Sequence, residues 1–153
     1  NIHPDIFCVQ ETKLHSNSPK GIESYTIDGY ESYFCNCEGK KGYSGISIYT
    51  KIKPISVYHG FEEPEGRIMV MEFDHFYLVN AYGPNIGMKF NKGEYISKFC
   101  GPKIIELMQN LSKTKVTIVC GDFNIGTSHL DVYDMNLYKK IMSKTKGLNN
   151  WLV

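Results

Sequence analysis

Two acidic side chains stand at the ends of apolar runs that lie far apart in the chain. Gly121–Asp122–Phe123–Asn124 follows Val116–Thr117–Ile118–Val119–Cys120, and Gln10–Glu11–Thr12–Lys13 follows Ile6–Phe7–Cys8–Val9. Apolar runs of this length read as buried strands. Open α/β sheets gather ligands at the carboxyl ends of their strands. Asp122 and Asn124 are two residues apart, and in extended backbone such residues point to the same side, so both can aim at one reacting group. A carboxylate orients a water or holds Mg2+, and an amide holds a phosphate oxygen. Two acids on distant strands therefore point to a polar site at one sheet edge. The same residue types also make Asx turns, helix caps and solvated loop openings.

The elements that must position these groups are legible as alternating segments. Strands are expected at Ile6–Gln10, Tyr30–Cys35, Gly45–Tyr49, Arg67–Phe73, Phe76–Tyr82 and Val116–Cys120, with a weaker one at Pro54–Tyr58. Asp74–His75 between two strong runs reads as a tight hairpin. Residues 83–93 form a polar, glycine-bearing loop. Ile104, Met108 and Leu111 have helical spacing over Lys103–Leu111, and Gly101–Pro102 suits a helix start or a kink. A short helix is expected at Met135–Ser143. Antiparallel strands followed by helix and strand imply an α/β (α+β) chain, with a mixed, mostly antiparallel sheet and helices on one face.

Composition sets outer limits. The 153 residues suit one domain, and 42% hydrophobic content supports a core. No apolar run approaches the ~20 residues that span a bilayer, so no membrane role is expected. No charged-then-apolar leader is visible within the sequence, which begins Asn1–Ile2–His3–Pro4. Five cysteines cannot all pair, and Cys35–Asn36–Cys37 is too tight for usual zinc spacing. Cys8 and Cys120 read as small core residues. A reduced, intracellular setting is expected, nuclear or cytoplasmic according to the source. Net charge is +1 with a single arginine, Arg67, so the chain is no bulk polycation. Lys40–Lys41 and Lys139–Lys140 read as solvated surface.

Several separated blocks resemble the exonuclease III-type apurinic/apyrimidinic (AP) endonucleases of the endonuclease/exonuclease/phosphatase superfamily. They are Pro4–Asp5–Ile6–Phe7–Cys8–Val9–Gln10–Glu11–Thr12–Lys13, Gly42–Tyr43–Ser44–Gly45, Glu65–Gly66–Arg67, Ala81–Tyr82–Gly83–Pro84–Asn85–Ile86–Gly87 and Cys120–Gly121–Asp122–Phe123–Asn124. The resemblance implies a four-layer α/β sandwich and a Mg2+-dependent phosphodiesterase of base-excision repair, with Mn2+ as a substitute metal and DNA containing abasic sites as partner. It implies metal binding by Glu11, catalytic roles for Tyr82, Asp122 and Asn124, and substrate contacts from Asn85, Lys13 and Tyr43. Asp131 matches a recurrent family acid of structural role. Two other readings are the endonuclease domain of a non-LTR retrotransposon, which shares some of these blocks, and a catalytically dead phosphate- or nucleic-acid-binding module that keeps the sheet and some phosphate contacts.

The resemblance also has gaps. The family's first strand, with a metal-linked asparagine, and its Ser-Asp-His block have no counterpart here. None of His3, His15, His59, His75 and His129 matches the catalytic histidine, and Met88 replaces a basic residue. Residues 1–153 are therefore expected to form one partial domain lacking the first strand and the C-terminal half, with little incision activity alone.

Overall fold

The computed structural model describes residues 2–15, 21–85, 92–126, 129–131, 133–136 and 139–140. Seven strands are present among them: β1 (Ile6–Gln10), β2 (Glu31–Cys35), β3 (Ile46–Thr50), β4 (Ser56–Tyr58), β5 (Ile68–Glu72), β6 (Phe76–Tyr82) and β7 (Val116–Asp122). They form two sheets. One is three-stranded and antiparallel, ordered β1-β3-β2; the other is four-stranded and mixed, ordered β4-β5-β6-β7, with β6 and β7 parallel.

Strand alternation explains the layering. In β5, Met69 and Met71 turn toward Ile46 and Ile48 of the first sheet, while Ile68 and Val70 turn the other way. In β6, Leu78 and Tyr82 share the inter-sheet face, and Val79 and Ala81 share the opposite one. That opposite face packs on helix α1 (Gly101–Leu111) through Ile104 and Leu111, as the helical spacing predicted. The order of layers is sheet, sheet, helix. β3 is buried along its whole length, because Phe7 and Phe34 cover Tyr49 on its outer side at ring distances of 6.1 and 6.0 Å.

Most expected boundaries hold within two residues. Phe73 N–H donates to Phe76 O at 2.9 Å across the Asp74–His75 turn. The strands divide between two sheets, in keeping with the layered sandwich that the resemblance implies; alternation alone tells how many faces a strand buries but not which sheet it joins. At Gly101–Pro102, expected as a helix start or a kink, the helical path continues from an irregular turn. Helical backbone at Gly93–Tyr95 passes through a π-turn at Ile96–Cys100 into α1. Pro102 has no N–H for the carbonyl four residues back, and a widened turn accommodates that loss. The helix expected at Met135–Ser143 lies largely outside the described residues.

Candidate active site

Glu11 directly follows the last residue of β1, and β6 and β7 run parallel, so Tyr82 and Asp122 end at the same edge and pair with each other. Gln10 Nε2 donates to Asn80 Oδ1 at 2.8 Å, which brings the end of β1 beside the end of β6. Glu11, Tyr82 and Asp122 thus meet at one edge of the two-sheet stack. Burial pushes the Tyr82 phenol above its ordinary pKa, and the charges of Glu11 and then Asp122 push it further, against the opposing charge of Arg67. Tyr82 is a neutral hydrogen-bond donor at physiological pH.

Four non-glycine residues among those described have left-handed backbone: Glu11 (φ 56°), Lys13 (φ 57°), Ser44 (φ 51°) and Asn124 (φ 52°). Such conformations cost free energy, cluster at functional sites and persist only where surroundings over-determine them. The surroundings here are visible. Thr12 N–H donates to Gly45 O at 3.0 Å and Lys13 N–H to Ser44 O at 2.8 Å. The Gly42–Tyr43–Ser44–Gly45 loop therefore clamps the Glu11 turn. Gly45 has φ 84°, and a Cβ there would stand 2.6 Å from Thr12 Oγ1.

Lys13 Nζ lies 3.3 Å from Glu11 Oε1, with both side chains about half exposed. Asp122 Oδ1 accepts Asn124 N–H at 2.9 Å in an Asx turn. Asn124 does not continue the strand alternation, because β7 ends at Asp122 and the backbone turns left-handed. Its Nδ2 donates to Gly83 O at 2.8 Å, shaping the turn that leads to Pro84 and Asn85. Asn85 is exposed beyond that turn, and Asp131 lies in a short 3-10 turn at His129–Asp131.

Tyr43 stands apart from the three converging groups, at the centre of a second network. Its hydroxyl accepts from Lys92 Nζ at 2.6 Å and Arg67 Nη2 at 3.0 Å, and approaches Glu65 Oε2 at 3.3 Å. Arg67 is buried, with Nε and Nη2 each 2.7 Å from Glu65 Oε2 and Nη1 donating to Tyr82 O at 3.2 Å. Its guanidinium lies 4.8 Å from the Tyr82 ring centroid. The network links the loop that clamps Glu11 to the strand that carries Tyr82.

Burial raises the Glu65 carboxyl, but the hydrogen bond and charge of Arg67, helped by Lys92, outweigh it and hold the group below the usual carboxylate range. A carboxyl with a lowered folded pKa contributes stability that is present above its unfolded pKa, about 4.3, and lost as pH falls through the folded value. Glu65→Gln is expected to lower stability at pH 7, and the gap from the parent should close on going to pH 3. Urea unfolding at both pH values checks this; a pH-independent gap would contradict it.

Three contributors escaped sequence reading: Asn80, Gln10 and the network role of Arg67. Only their distant partners show what they do. Cys8 and Cys120, expected as plain core residues, share a thiol hydrogen bond between the two sheets; that bond and burial push Cys8 well above the usual thiol range.

The donors at the edge are hard oxygens from a carboxylate, a second carboxylate and a phenol. No group of three or more His, Cys, Asp or Glu side chains set to hold a metal occurs among the described residues. Mg2+ commonly takes only one or two protein carboxylates and keeps its waters, so the donor set fits Mg2+ better than zinc.

Residues 1–151 match the profile of the endonuclease/exonuclease/phosphatase family. The chain belongs to that family. Its relatives include a DNA-(apurinic or apyrimidinic site) endonuclease of Dictyostelium discoideum, 32% identical over 143 residues, covering 90% of this chain and 39% of that protein. Recombination repair protein 1 of Drosophila melanogaster is 36% identical over 134 residues, covering 84% of this chain and 19% of that protein. Among solved structures, the AP endonuclease of Archaeoglobus fulgidus superposes with TM-score 0.72 at 25% identity, over 97% of this chain and 60% of that one. A 3′ phosphatase from Neisseria, solved with a product DNA hairpin, superposes with TM-score 0.74 at 21% identity, over 97% and 60%. The chain thus carries the family's α/β fold and resembles its exonuclease III-type branch, while spanning between 19% and 60% of the length of these relatives. No helix among the described residues is long and apolar enough to cross a membrane.

Proposed function

We propose that the protein carrying these residues is a Mg2+-dependent hydrolase of the DNA backbone that cuts 5′ to abasic sites during base-excision repair inside the cell. The observation that supports it best is the meeting of Glu11, Tyr82 and Asp122 at one edge, from three strands of two sheets. The names of the similar proteins, AP endonucleases and repair proteins, favour this reading over a retroelement endonuclease or a binding module.

Phosphodiester hydrolysis needs a positioned water, neutralised non-bridging oxygens and a stabilised leaving group. Asp122 orients or deprotonates the water. Its Oδ1 is fixed by the Asn124 amide, which leaves the other oxygen for that task. Tyr82 donates its phenolic hydrogen to a phosphate oxygen. Asn124 gives one amide hydrogen to Gly83 and keeps the second for phosphate. Asn85 and Lys13 bind the phosphate, and Tyr43, ringed by Lys40, Arg67 and Lys92, meets the DNA backbone. Glu11 holds Mg2+, or Mn2+ in its place, and the bound ion supplies positive charge to the phosphate oxygens.

Glu11→Gln in the full-length protein is expected to raise the Mg2+ concentration needed for half-maximal rate by about tenfold or more and to cut the rate at saturation. A Mg2+ titration of abasic-site incision reads both. An unchanged Mg2+ requirement would remove Glu11 from the metal site.

A further inference from the structure

Asn80 is wholly buried in β6, on the face turned to the other sheet. Its Nδ2 donates to Val9 O at 3.2 Å and Ser47 O at 3.1 Å, and its Oδ1 accepts from Gln10 Nε2 at 2.8 Å. All three partners lie in the first sheet, on β1 and β3. A buried amide has two donors and one acceptor oxygen to satisfy, and this one meets them entirely across the inter-sheet space.

The surrounding layer is apolar: Met69, Met71, Leu78, Ile46 and Ile48. A hydrophobic residue of similar size would fill the space, but it would leave the Val9 and Ser47 carbonyls and the Gln10 amide without this partner. What an apolar residue cannot do is fix the lateral register of one sheet on the other. Three directional bonds do so.

The location gives that register a consequence. Gln10 is the last ladder residue of β1, paired with Ile46, and Glu11 follows at once in left-handed backbone. Asn80 stands two residues before Tyr82 and is paired in register with Cys120, which stands two before Asp122. On its far side, the Glu11 turn is held by Thr12 and Lys13 amides on the 44–45 loop. One side chain therefore references Glu11 to both Tyr82 and Asp122.

We propose that Asn80, acting through Gln10, is a positioning residue that sets where Glu11 stands against Tyr82 and Asp122. The consequence for metal rests on reading Glu11 as the metal acid; the geometry does not.

The test variant is Gln10→Met, which keeps the length of the side chain, removes the donor to Asn80 and leaves the bonds from Asn80 to Val9 and Ser47 in place. Hydrogen exchange followed by NMR is expected to show the Thr12 and Lys13 amides exchanging about tenfold faster. The Tyr82 amide, bonded to Arg67 O at 2.8 Å, should keep its protection. Mn2+ binding, followed by electron paramagnetic resonance with Glu11→Gln as reference, should weaken by about tenfold in Gln10→Met, as when a supporting partner of a ligand is removed. In Asn80→Ala the same two amides should lose protection, and adding Gln10→Met should make them no worse. If Asn80→Ala does not fold, Gln10→Met decides the matter alone. Unchanged exchange at Thr12 and Lys13 overturns the proposal. So does a uniform loss of protection across both sheets, which would mark a purely structural role. Mn2+ binding that Glu11→Gln leaves intact refutes the metal reading instead, because the exchange data are taken without metal.

Discussion

Asp122→Asn in the full-length protein lowers the rate of phosphodiester hydrolysis by about a hundredfold to ten-thousandfold and leaves the melting temperature nearly unchanged. Asp122 is exposed, and its structural duty is to accept the Asn124 amide at 2.9 Å. An asparagine side chain keeps an oxygen for that bond, so the Asx turn and the Gly83 contact of Asn124 survive. What disappears is the negative charge and the ability to take a proton from water. Single-turnover kinetics beside a thermal melt separate the two effects. A rate within tenfold of the parent would remove Asp122 from the chemistry, and a collapse in melting temperature would show that its role is structural.

Gly121→Ala has the opposite signature, a loss of stability. Gly121 has φ 145°, a conformation that L side chains rarely adopt, and a Cβ there would run into the backbone carbonyl oxygen of Ala81 on the paired strand. The obstacle is backbone in a ladder, so no rotamer change relieves it. Left-handed strain and overpacking each cost about 1–3 kcal/mol, which together approach half the stability of an ordinary domain. The expected outcome is a melting temperature lower by about 10 °C or more. A variant that melts within about 2 °C of the parent would mean that β6 and β7 separate easily at this point.

These two neighbours show what the sequence could and could not reveal. Asp122 was legible because an acid after an apolar run is chemically conspicuous. The strand over Arg67–Phe73 was legible too as an apolar run, but the division of Ile68 and Val70 from Met69 and Met71 between two faces shows only in the packing, because all four are apolar. The division into two sheets was legible only through the family resemblance, because it depends on which strands pair, as β1 does with β3 across some 40 residues. The part played by Asn80 was not legible, because it lies in Gln10, Val9 and Ser47, distant in sequence. The left-handed turns at Glu11 and Lys13 were hidden because neither residue type favours that conformation, and the 44–45 loop imposes it. Tyr43 was named from its block, but the ties of its hydroxyl to Lys92 and Arg67 were not legible, because those partners lie 49 and 24 residues away. Family blocks pointed to the candidate site residues because they preserve local order, but the distances among Glu11, Tyr82 and Asp122 are set by tertiary packing.

The most direct measurement is incision of a duplex carrying one abasic site by the full-length protein, in Mg2+ and in EDTA, with Asp122→Asn alongside. Cleavage 5′ to the abasic site that requires Mg2+ and is lost in Asp122→Asn is the expected result. Cleavage that persists in EDTA, or a folded full-length protein that leaves abasic DNA intact in Mg2+, would contradict it.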